Sequence, residues 1–264
     1  MGVLLFSVLS MSLEQIRWGS LTVKWTSLSF DDLNAVNWEQ GDSVPTLRFY
    51  EGKKFLHEIE IYMATVDTQD LTGDGVPELI VQDYSGGAHC CFRFLVYTRV
   101  PILKLLGNFN MGNGNLDFED IDADGVQEAV GTYDGLAYLD YPYVVSPFLP
   151  VVFKLENGVY VECTEKFPDL VESSLYDYLD FANSNIQLAQ EDEPEALEEL
   201  RKARAAGVMG HFLLLKDEAS GWETIRKLDP EILPWLKDNM PAIREAVENM
   251  KNAVGYSDDA EDQE

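Results

Sequence analysis

A chain of 264 residues, 46% apolar and 11% aromatic, holds enough hydrophobic material for a globular core and lacks the composition of a disordered protein. Its 47 acidic against 19 basic side chains give a net charge of −28. That excludes nucleic acid, whose phosphates need a basic stripe, and suits a protein that binds cations or stays dispersed by self-repulsion.

In chain order, residues 1–17 stand apart. The apolar run 3–11, with the small residues Ser10 and Ser12 at its end, resembles the back half of a truncated secretory signal peptide whose basic n-region is missing. The competing reading is an N-terminal strand or buried arm. The run is too short to cross a bilayer, and no other segment reaches the ~18 apolar residues required, so no integral membrane segment is expected. From Trp18 to Lys166, apolar and aromatic runs alternate with turn signals, as in strands. Segments 46–61 and 151–163 predict hairpins, the second closed by Asn157-Gly158 in a type I′ turn. The tyrosine-rich stretch 133–148 predicts a strand pair with Pro142 and Pro147 at its edges. From Asp169 the periodicity is helical: Pro194 opens a helix, Gly207 and Gly210 interrupt it, and Ser220, Asp229 and Asn239 are expected caps. The expected fold class is α+β, an antiparallel β-domain of blade-like, partly propeller-like repeats over 18–166 followed by a helical domain over 169–254. Residues 255–264 are expected to form an acidic, disordered tail.

An internal repeat carries the chemistry. Displaced by fifty residues, 66-VDTQDLTGDGVPELI-80 lies over 116-LDFEDIDADGVQEAV-130, and Asp70, Asp74, Gly75, Val76 and Glu78 meet identical residues at Asp120, Asp124, Gly125, Val126 and Glu128. A period of that size, holding several strands, is that of one propeller blade. Each loop is open to three readings: a calcium loop, a carboxylate active site, or a polar turn between strands. Calcium needs about six to eight oxygens at ~2.3–2.6 Å, supplied from alternate loop positions around a glycine bend. The first loop offers Asp70, Thr72, Asp74, the carbonyl of Val76, and Glu78; the second offers Asp120, Asp122, Asp124, the carbonyl of Val126, and Glu128. The additional carboxylate predicts tighter binding in the second, and two structural Ca2+ ions are expected. An EF-hand is excluded, because its position-twelve Glu is replaced by Val81 and Gly131 and the residues that follow are strand-like. Water and lysine could fill such turns instead, but lysine is scarce in sequence near both.

The loops DLTGDGVPELIV and DIDADGVQEAV resemble the calcium turns of FG-GAP/VCBS-type repeats, the family that builds integrin-like β-propellers; 84-YSGGAHCC-91 is similar to a segment of bacterial hypothetical proteins that carry such repeats. The resemblance covers about residues 40–170 and implies an adhesive or scaffold module. Two turns are too few for a closed propeller, and the helices lie outside the resemblance.

His89, Cys90 and Cys91 are the other candidates for chemistry. Adjacent cysteines do not have the spacing of zinc or CxxC redox sites, so the first reading is a glycine bend before a buried strand. In an oxidising compartment, Cys90 or Cys91 could bridge to Cys163 and leave one thiol free. No phosphate loop, GxSxG elbow or HExxH motif is present. The expected function is a non-enzymatic, calcium-stabilised binding or scaffold module of the cell envelope or exterior, secreted or periplasmic, with a protein or glycan partner. The alternatives are an extracellular glycan hydrolase with an acidic cleft between its β and α parts, and a cytoplasmic, calcium-independent protein.

Overall fold

The computed structural model describes residues 12–28, 44–87, 90–189 and 194–255. The apolar run, His89 and residues 256–264 lie outside the described residues. The fold is α+β, with antiparallel sheets and four α-helices. Three consecutive meanders of four strands account for most of the β part, a short strand at Val254–Gly255 makes the second sheet five-stranded, and no closed barrel or propeller is formed among the described residues.

The first meander contains β1 (Ser12–Trp18), β2 (Leu21–Ser27), β3 (Thr46–Glu51) and β4 (Lys54–Glu60), paired in chain order. The β-domain thus begins at Ser12, not Trp18, because Leu13–Trp18 pair residue for residue with Leu21–Thr26. The predicted hairpin over 46–61 is β3–β4, with its turn at Gly52. The second meander contains β5 (Met63–Gln69), β6 (Glu78–Gly87), β7 (Cys90–Thr98) and β8 (Lys104–Gly112). The third contains β9 (Leu116–Glu119), β10 (Glu128–Tyr133), β11 (Leu149–Glu156) and β12 (Val159–Glu162). The β11–β12 turn is Asn157-Gly158 with both φ angles positive, as a type I′ turn demands.

The chain divides into two compact units. Unit 1 comprises residues 1–70, 74–110 and 255–264; unit 2 comprises 71–73 and 111–254. The third meander therefore groups with the helices, and the units do not divide between strands and helices. In unit 1 the inner faces of the first two meanders share one core. Leu21, Val23 and Trp25 alternate inward along β2 and join Leu47, Phe49, Leu79, Val81 and Leu95.

In unit 2, α1 (Pro168–Leu188), α2 (Pro194–Leu214), α3 (Glu218–Leu228) and α4 (Leu233–Asn249) accompany the third meander. Helix α2 is buried without a break from Ala203 to His211, the mark of a central helix. Gly207 and Gly210 therefore do not interrupt it. A Cβ at Gly207 would stand 2.4 Å from the Tyr178 ring, and one at Gly210 2.7 Å from Leu149, so both glycines admit close neighbours. The caps also differ from expectation. Asp217, not Ser220, caps α3 by accepting from the Ser220 amide; Asn239 lies inside α4 and donates to the Trp235 carbonyl. Asp229 is buried and binds Arg201 at 2.6 Å and Arg204 at 3.2 Å instead of closing a helix end with its side chain. Stretch 133–148 is not a strand pair beyond Tyr133: it turns, with a single 3₁₀ turn at Tyr143–Val145, because Pro142 and Pro147 remove ladder donors.

Candidate metal centre

Both repeated loops occupy the same place in their meanders. The first joins β5 to β6 between the paired residues Gln69 and Glu78; the second joins β9 to β10 between Glu119 and Glu128. Strands, not helices, flank both. The corresponding connection of the first meander, β1 to β2, is a tight turn at Gly19 and carries no acidic loop.

The loops share a backbone. The fourth and sixth positions have positive φ in each: Gly73 and Gly75 in the first, Ala123 and Gly125 in the second. The carboxylates turn inward onto their own amides. In the first loop, Asp70 accepts from the Gly75 amide at 2.9 Å and Asp74 from the Val76 amide at 2.7 Å. In the second, Asp120 accepts from Asp124 and Gly125 at 3.0 Å each, and Asp124 from Val126 at 2.9 Å. Asp120, Asp122 and Asp124 each bring an oxygen within 4.8 Å of the others. Glu78 and Glu128 open the exit strands and are buried, and Glu128 accepts from the Ile121 amide at 3.1 Å. Within unit 2, the Leu71 carbonyl accepts from the Gln127 amide at 2.8 Å, and a Cβ at Gly73 would stand 2.3 Å from the Gly125 oxygen. The tip of one loop thus rests on the backbone of the other.

The two loops differ in what faces the carboxylates. In the first, the Thr72 hydroxyl is buried and has no hydrogen-bond partner. A buried hydroxyl oxygen without a partner, at the third loop position, is of the chemistry that a hard cation takes as a ligand. In the second, the Lys154 ammonium stands among Asp122, Asp124 at 2.8 Å and Glu128 at 3.1 Å. Burial pulls the pKa of that ammonium down, but its hydrogen bonds to Asp122, Asp124 and Glu128 outweigh burial and raise it. The same lysine holds the Asp124 carboxyl below the usual range. Lys154 thus stands at the same oxygens that the second loop would offer a calcium ion. The expected scarcity of lysine near the loops is corrected here. Lys154 lies on β11, and the pairing of Ala129 with Phe153 carries it abreast of Glu128 from far along the chain. The legible signal was one lysine in the otherwise apolar run LPVVFKL.

The cysteines depart from the expected bridge. Cys91 is disulfide-bonded, whereas Cys163 is a free, buried thiol whose pKa burial raises to about 11, so the bond does not run to Cys163. Cys90 opens β7. Ser85 accepts from the Cys91 amide at 2.9 Å, and both residues line a cavity of about 130 Å³ with Asp83 and Arg93. Asp83 is buried and paired with Arg93 at 2.9 Å; burial nevertheless raises its pKa.

No family model and no solved structure matches the chain. It is 26% identical over 174 residues to a probable thylakoid lumen protein, sll0997, of Synechocystis sp. (strain ATCC 27184 / PCC 6803 / Kazusa), a match over 62% of this chain and 48% of that one. The chain thus spans about half the length of this relative.

Proposed function

We propose that the protein is a non-enzymatic binding or scaffold module of an extracytoplasmic compartment, with meanders pinned by FG-GAP/VCBS-like turns. The first turn holds a structural calcium ion, and the second is closed by Lys154. The observation that carries this reading is that Lys154 stands among the carboxylates of the second turn, whereas the Thr72 hydroxyl of the first has no partner. The similarity to a probable thylakoid lumen protein supports the compartment, and among the described residues no helix is long and apolar enough to cross a membrane.

The geometry favours scaffold over hydrolase. A glycosidase needs two carboxyl groups facing one sugar, one of them with a raised pKa. The loop carboxylates bind their own turn amides, and Asp83, whose pKa is raised, is the single acid among the described residues lining its small cavity and is paired with Arg93.

The test is a melting curve after chelation. Added millimolar calcium is expected to raise the melting temperature, with a bound stoichiometry of one, and Asp74→Ala is expected to remove the rise. An unchanged curve for the wild type would sink the calcium reading.

A further inference from the structure

Unit 1 contains a cavity of about 620 Å³, within the range of small-molecule sites, where the β1–β2 and β3–β4 turns meet the β7–β8 connection. Arg99 lines it, and three features hold that side chain in place. Its guanidinium lies over the Trp18 ring, 5.8 Å from the centroid. Trp18 is itself anchored by donating to the Pro77 carbonyl at 2.6 Å. Gly19 admits the guanidinium against its backbone, where a Cβ would stand 2.6 Å from Arg99 Cζ.

The charge so positioned is unanswered. Among the described residues no carboxylate pairs with Arg99, and its Nε is buried without a hydrogen-bond partner. In a chain with 47 acidic side chains, an arginine at a cavity is expected to find an acid. Glu51, the single acid among the described residues that line this cavity, forms no ion pair with it. Leu21, Leu56 and Leu103 supply apolar wall, and Lys104 adds a second cationic side chain to the lining.

We propose that this cavity binds a small organic monocarboxylate. The carboxylate takes a charge-assisted, forked hydrogen bond from Arg99, and the apolar body lies against the leucines. A rigid, stacked guanidinium is suited to this task, because little side-chain freedom is lost when the anion arrives. The site is independent of the calcium turns.

The probe is octanoate, with octanol as its uncharged counterpart, titrated calorimetrically into the full chain. Octanoate is expected to bind and octanol to bind far more weakly. Arg99→Gln is expected to weaken octanoate about tenfold or more, and Arg99→Lys to retain part of the affinity. No octanoate binding at millimolar concentration, equal binding of octanol, or equal binding by Arg99→Gln overturns the proposal. Should Arg99→Gln fail to fold, Ile102→Asp replaces it. Ile102 lines the same cavity at 69% exposure, outside the Trp18–Arg99 stack. The added charge is expected to repel octanoate and weaken it likewise; undiminished affinity overturns the proposal.

Discussion

Ala123 is the residue at which the two loops differ most in backbone strain. Its φ of 61° lies in the left-handed region, where an L-side chain costs roughly 1–2 kcal/mol; the equivalent residue of the first loop is Gly73. Gly73 has a second reason to be glycine, the Gly125 oxygen that an added Cβ would meet, whereas Ala123 is exposed. Ala123→Gly is therefore expected to stabilise the protein by about 0.5–1 kcal/mol, after the added freedom of the unfolded chain is set against relief of strain. Urea unfolding checks this, and a lower midpoint would refute it. His211 is a second residue with a definite consequence. Its Nδ1–H donates to the Gly207 carbonyl at 2.7 Å, so Nε2 faces the Ser174 hydroxyl at 3.0 Å as an acceptor, and the ring stacks on Tyr178. Burial lowers its pKa to about 4 from an ordinary 6.5. The unfolded chain takes up a proton below pH 6.5 that the folded chain refuses until about pH 4. Stability from this group is thus complete above pH 6.5 and falls through that window by about 1.4 kcal/mol per pH unit. His211→Gln is expected to flatten the fall, and parallel pH profiles for the two proteins would refute the assignment. The two acidic turns between strands were legible from their spacing alone. Arg99 and His211 were not, because their roles depend on what does not pair with them and on burial.

At the scale of elements, the hairpins and the repeated turns followed from local rules, since a type I′ turn and a carboxylate loop are each written within about ten residues. The helix ends were less legible. Asp229 has the side chain of a cap, yet two arginines of α2 claim it, and a capping hydrogen bond is weaker than a partly buried charge pair. Lys154 was hidden for another reason: it reaches the second loop through strand register, which a one-dimensional scan for nearby lysines does not follow. Lys154→Gln is the test at this scale. Removing the ammonium leaves the fully buried Glu128 without its cation, a loss of about 3 kcal/mol in chelator. The same change opens the second loop to calcium, so bound ions are expected to rise from one to two and added calcium to restore the lost stability. An unchanged melting temperature in chelator, with stoichiometry still one, would refute the clamp.

For the whole molecule, three successive meanders explain why the repeat appears twice and not three times. The acidic loop sits at the first connection of the second and third meanders, while the first meander closes that connection with a two-residue turn. The α+β class was legible, because periods of two and of 3.6 separate cleanly along the chain. The division into compact units was not, because the third meander reads as β in sequence yet shares its compact unit with the helices. Nothing in a strand's own alternation says which neighbour will cover it.

The second loop's cation is part of the polypeptide, and that changes its thermodynamics. A free ion answers to its concentration outside, so occupancy falls on dilution and a chelator can remove it. An ammonium tethered to β11 has a fixed effective concentration at the loop, set by strand geometry alone. Under the proposed function one turn reports the ionic composition of its surroundings, while its twin is indifferent to it.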